Sequence, residues 1–295
     1  MKYYRYFTSE REHGPTQPHL VAVDGSDAYD LTAASEALRS FDDLAKGAAI
    51  SMRSIDDVAA GYLEDATPID SDDLGERAAV PVVAEGVWAA GVTYEISEEA
   101  RESESTLPEV YQQVYQDERP ELFFKATPSR TVGPNEAVGI RGDSTWDVPE
   151  PELGIVLYDD EVVGYTVGND MSSRDIEGKN PLYLPQAKVY DRCCALGPCI
   201  SSPGTVADPH DLRLAMTIER DGEVCYDEET STSKLVRTVD ELVSYHTRHD
   251  ATPRMGVLLT GTSLVPEDEF TLQEGDVVSI EIESIGTLRN PVTTV

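Results

Sequence analysis

The sequence predicts an α+β protein, with a small N-terminal α/β region over residues 1–75 and a larger strand-rich domain over 76–295. Two observations carry this. Before residue 75, short strand candidates alternate with stretches whose apolar residues recur at helical spacing. From Ala137 onward, short apolar runs follow one another between Gly, Pro and Asp-Gly turns. A chain of 295 residues is long enough for one large domain and a smaller one.

In order, Met1–Phe7 and Pro18–Asp24 read as strands, and the mixed run from Asp30 to Phe41 as a helix with Asp30 or Thr32 as cap. Ser54–Leu63 reads as a second helix, and Glu64–Glu76, acidic and turn-rich, as a linker or surface loop. Val80–Tyr94 is strand-like and opens the larger domain. Tyr94–Asp117 is charged, helical and broken near Pro108, the pattern of a mobile lid or a plain solvent-facing helix. In Glu121-Leu-Phe-Phe-Lys125, the acid and the base stand at the ends of a short strand, with Arg130 soon after. Hairpins are expected at Tyr158-Asp-Asp-Glu and Arg220-Asp-Gly-Glu. A helix from Ser233 to His246 interrupts the strands, its apolar stripe being Leu235, Val236, Val239, Leu242 and Val243. His246 and His249 fall at its end, in capping or surface positions. The run from Ile280 to Val292 lies along a sheet.

Composition narrows the function. The apolar share of 40% is that of a folded chain, and the net charge of -33 comes from 56 acidic against 23 basic residues. The acids are scattered along the chain, so their repulsion is relieved only when salt screens it. This pattern resembles cytosolic proteins of salt-accumulating microbes. With no basic stripe, nucleic acid and anionic membranes are excluded as partners. No apolar stretch reaches 18 residues and no secretory leader opens the chain, which predicts a cytoplasmic protein. Cys193, Cys194, Cys199 and Cys225 are too irregularly spaced for a disulfide framework or a zinc site.

Chemistry gathers between Trp146 and Asp191. Glu150 and Glu152 are two apart at the start of an apolar strand, so both face one side. Asp170 follows the next strand, at a turn. Three carboxylates so placed suit a hard divalent cation such as Mg2+, with Mn2+ or Ca2+ sharing the ligand type. Taken singly they also fit a solvated strand edge and a turn aspartate. Lys188 stands alone in an uncharged neighbourhood and is available for proton chemistry.

The segments P-E-P-E-L, G-N-D-M-S-S-R-D, L-P-Q-A-K-V-Y-D and L-T-G-T, in that order, resemble the fumarylacetoacetate hydrolase superfamily over Pro81 to Pro291. Within it, R-P-E-L-F-F-K-A-T-P and N-P-L-Y-L-P-Q-A-K-V-Y are most similar to archaeal 2-keto-3-deoxy-pentonate dehydratases. The resemblance implies a mixed β-sandwich or β-roll, a homodimer or homotetramer, and a small 2-keto sugar acid as substrate. It places the metal carboxylates on Glu150, Glu152 and Asp170, the catalytic lysine on Lys188, and its acidic partner on Glu121. Lys125, Thr262 and Arg130 fall at substrate-binding positions, and Arg174 beside the ligand aspartate in support. Hydrolytic members of the family carry a histidine–carboxylate pair in the lid region, but here no histidine lies between His19 and His210. That departure favours a dehydratase over a carbon–carbon hydrolase. A 2-keto acid decarboxylase and a noncatalytic sugar-acid binding protein stand as further alternatives.

Overall fold

The apolar run Pro151–Tyr158 is buried at every position, as a strand covered on both faces must be. In the computed structural model, which describes residues 1–8, 17–71, 74–94, 114–267 and 270–295, it lies near the middle of a 12-stranded sheet. Strands are numbered along the chain. The N-terminal region contributes β1 (Lys2–Tyr6), β2 (His19–Asp24), β3 (Asp27–Asp30), β4 (Thr67–Ile69) and β5 (Ala78–Ala79). Then come β6 (Gly86–Gly91), β7 (Glu121–Ala126), β8 (Thr131–Val132), β9 (Val138–Ile140) and β10 (Asp147–Val148). The buried run is β11, followed by β12 (Glu161–Asp170), β13 (Ser172–Ser173) and β14 (Cys194–Ser201). The last are β15 (Arg213–Arg220), β16 (Glu223–Ser231), β17 (Met255–Leu259), β18 (Val277–Ile282) and β19 (Gly286–Thr294).

The large sheet runs β4-β3-β2-β1-β14-β12-β11-β17-β6-β7, so the N-terminal strands join it through the pair Tyr3↔Ile200. A five-stranded sheet, β16-β15-β18-β19-β9, packs through β18 and β19 against β12 and β14. The interior between them is apolar: Val167, Leu196, Cys199, Met216, Ile280 and Leu288 are fully or almost fully buried. Each such large side chain contributes about 1.5–3 kcal/mol of burial. The edge strand β16 is acidic and largely exposed, which discourages pairing with a second sheet.

Both expected hairpins form. Asp159 and Asp160 have φ of 47° and 70°, Asp221 and Gly222 of 53° and 82°, the left-handed pairs that tight two-residue turns need. The helix expected from Asp30 to Phe41 is shorter, Leu31–Ala34, capped by Asp30, whose carboxylate accepts from the Ala33 N–H. A separate helix, Phe41–Ser51, starts because the Ser40 hydroxyl accepts the Asp43 N–H and restarts the ladder. Its buried face of Phe41, Leu44, Ala45 and Ala48 helps cover β11. The stretch Glu64–Glu76, expected as a linker or surface loop, instead holds β4, an edge strand on β3. Likewise the helix expected from Ser233 begins only at Val239, where Thr238 caps it, and Val236 is exposed. His246 is no surface residue: it is buried, its ring 5.4 Å from that of Trp88, and burial lowers its pKa. Most of the lid candidate Tyr94–Asp117 lies outside the described residues. No helix among the described residues is long and apolar enough to cross a membrane.

Candidate active site

The β11–β12 hairpin explains how the carboxylates meet. Pro151 pairs with Asn169, so the start of β11 lies beside the end of β12. Glu150, Glu152 and Asp170 are thereby brought together, with one oxygen from each within 4.8 Å of the others. All are buried, at 3%, 1% and 1% exposure.

Their partners are specific. Arg174 Nη2 donates to Glu150 Oε1 at 2.8 Å and Lys188 Nζ to Glu150 Oε2 at 2.6 Å. Lys188 also lies 3.3 Å from Asp170 Oδ2 and donates to Ser172 Oγ at 2.5 Å. Glu152 Oε2 accepts the Gly261 N–H at 2.7 Å. Burial, and then the charges of Asp170 and Glu150, push the Glu152 carboxyl well above its usual range. Asp170 Oδ1 faces the Lys125 ammonium at 2.5 Å. Three converging hard oxygens, with the Glu152 carboxyl raised by burial and by its neighbours' charge, fit a divalent cation.

Alongside this cluster, the cleft is lined by Gly91, Glu121, Phe123, Glu177, Lys188 and Thr262, among others. Glu121 arrives on β7 opposite Gly91 of β6. A Cβ at residue 91 would stand 2.0 Å from Glu121 Oε2, so that glycine makes room for the carboxylate. Gly261 has φ +90°, and a Cβ there would meet Thr93 Oγ1 at 2.0 Å. Lys188 closes the helix Leu184–Lys188, its ammonium 5.6 Å from the Phe123 ring centre. The Thr262 hydroxyl is engaged in its own turn, donating to the Leu264 carbonyl at 3.2 Å.

Two residues expected at substrate-binding positions are not among the lining residues of this cleft. Lys125 does not line the cleft: it is fully buried behind Asp170, 2.5 Å from Oδ1, and donates to the carbonyls of Met171 at 2.8 Å and Lys188 at 2.5 Å. Burial alone would lower its pKa, but the charge of Asp170 outweighs that and raises it. The ammonium is thus a structural counter-ion. Arg130 also stays off the cleft, since β7 has ended and a 3-10 turn, Pro128–Arg130, points its guanidinium at Thr127 Oγ1, 3.0 Å away. Gly261 and Glu177 went unseen in the sequence. The first acts through a backbone N–H, which no residue type announces, and the second sits on the short helix Arg174–Lys179, where an acid reads as a helix-start charge.

An α+β fold built on two large sheets, with a buried Glu-x-Glu and aspartate cluster at a strand pair, defines a metal-carboxylate enzyme class. The model of the fumarylacetoacetate (FAA) hydrolase C-terminal family matches residues 86–293, and the chain belongs to that family. It is 63% identical over 276 residues, 94% of this chain and 96% of the other, to a probable 2-keto-3-deoxyxylonate dehydratase of Haloferax volcanii. It is 41% identical over 222 residues, 73% of this chain and 74% of the other, to the 2-dehydro-3-deoxy-D-arabinonate dehydratase of Saccharolobus solfataricus. Among solved structures, a 2-keto-3-deoxy-D-arabinonate dehydratase complexed with magnesium and 2,5-dioxopentanoate superposes with TM-score 0.84 and 32% identity, covering 100% of this chain and 99% of that one.

Proposed function

We propose that this chain dehydrates a 2-keto-3-deoxy-pentonate to 2,5-dioxopentanoate with Mg2+ bound at Glu150, Glu152 and Asp170. The observation that carries the reading is that Glu121 and Lys188 line one cleft with those carboxylates, while no histidine is among its described lining residues. The named activities of the relatives and the product in the neighbouring crystal structure support the same substrate class.

A bound divalent cation supplies Lewis acidity that makes protons beside a 2-keto group easier to remove. Lys188, held at the end of its helix beside Phe123, takes a proton from C3 of the substrate. Glu121 gives a proton to the C4 hydroxyl, which leaves as water. The remaining C3=C4 double bond is conjugated with the ketone. Moving a proton from C5 to C3 gives a C4=C5 enol, whose hydroxyl proton passes to C4 to leave the C5 aldehyde, so the net change is loss of one water with no redox partner. Arg174 keeps Glu150 oriented, and Thr262 stands at the substrate carboxylate end. The acidic surface belongs to a cytosol of high salt, and the chain assembles as a homodimer or homotetramer, as light scattering in molar salt would show.

Incubating the protein in molar salt with magnesium and racemic 2-keto-3-deoxy-pentonate should release the semialdehyde. Cleavage of an acylpyruvate, with no semialdehyde formed, would replace the dehydratase with a hydrolase.

A further inference from the structure

Lys188 and a divalent cation draw on the same two carboxylates. The lysine lies 2.6 Å from Glu150 Oε2 and 3.3 Å from Asp170 Oδ2, and both carboxylates belong to the cation cluster. A lysine held only by those carboxylates would lose its anchors to the ion. A further side-chain acceptor is different. Ser172 Oγ, 2.5 Å from Nζ, is uncharged, lies outside the carboxylate cluster, and sits on a fully buried residue. Its own proton goes to the Asp170 carbonyl at 3.0 Å, which turns an oxygen lone pair toward the lysine. β13 fixes the backbone there by pairing Ser172 with Val148 of β10.

We infer that Ser172 is a positioning residue for the dehydration: it is an uncharged anchor that keeps Lys188 aimed into the cleft once a cation occupies Glu150 and Asp170. The inference rests on the proposed function for its kinetic arm only.

The test pairs a crystal structure of the magnesium-loaded protein with three variants. In the loaded crystal, Lys188 Nζ should stay within about 3.2 Å of Ser172 Oγ. A separation beyond about 4 Å would overturn the inference, whatever the enzyme's substrate. Ser172→Ala should lower kcat by about 10- to 100-fold, since a reacting group misplaced by an ångström costs about that much. KM and the magnesium affinity measured by calorimetry should hold within about threefold. Ser172→Thr, which keeps the hydroxyl, should recover most of the loss, and the near-isosteric Ser172→Cys should not. Melting curves in molar salt restrict the comparison to folded variants. Wild-type kcat in Ser172→Ala would count against the anchor, as would magnesium affinity falling in step with kcat. A folded Ser172→Thr as slow as alanine would mean that packing, and not the hydroxyl, matters. Failure of the wild type to dehydrate the sugar acid would sink the functional reading while leaving the crystallographic distance to decide this one.

Discussion

Two buried lysines flank Asp170, and their surroundings give them opposite work. Behind it, Lys125 is closed in by the Met171 and Lys188 carbonyls and by the ring of Tyr190, 5.7 Å from its nitrogen. In front, Lys188 borders the cleft that Glu121 and Thr262 share. The same residue type, at 0% and 2% exposure, is a fixed counter-ion on one side of a carboxylate and a candidate base on the other. What separates them is not burial but whether a substrate can reach the nitrogen.

That contrast can be broken by exchanging each lysine for methionine, which keeps the length and removes the charge. Lys188→Met should cut turnover of the sugar acid by about 10²–10⁴-fold, the range of a lost acid–base group, in protein that still folds with magnesium. Lys125→Met should instead act on stability. It strands a buried carboxylate and two carbonyls, which costs about 3–5 kcal/mol in denaturant unfolding. A Lys125→Met protein as stable as the wild type would erase the distinction.

Gly261→Ala sharpens the picture of the cluster itself. The added methyl meets Thr93 Oγ1 and the backbone of Ala90, so the N–H that fixes Glu152 must move. Magnesium affinity by calorimetry should weaken about 10- to 100-fold, as when other outer partners of metal ligands are lost. The smallest effect lies far from the site. Burial lowers the pKa of His246, so the folded state favours its neutral form. The contribution is present above the ordinary histidine value of about 6.5 and is lost as pH falls below it through the folded value. Melting temperature should therefore drop on acidification, and His246→Gln should flatten that slope.

Much of the site was legible because its carboxylates lie on strands flanking one hairpin, where spacing alone fixes the face. Glu150, Glu152 and Asp170 meet as that spacing implies. The role of Lys125 was not legible, since it depends on carbonyls from two other segments of the chain. The same holds for Gly261, whose contribution is a backbone donor. Helix boundaries failed where serine and threonine competed with the ladder: Ser40 restarts one helix and Thr238 delays another. The burial of His246 followed from its packing on Trp88, a contact between distant strand and helix that no local pattern carries.

The division of labour around Asp170 is tested most directly by following deuterium entry at C3 of 2-keto-3-deoxy-pentonate by NMR, in D2O with magnesium. The wild type should exchange that proton, and folded Lys188→Met should not. Exchange at the wild-type rate in Lys188→Met would contradict the assignment of Lys188 as the base.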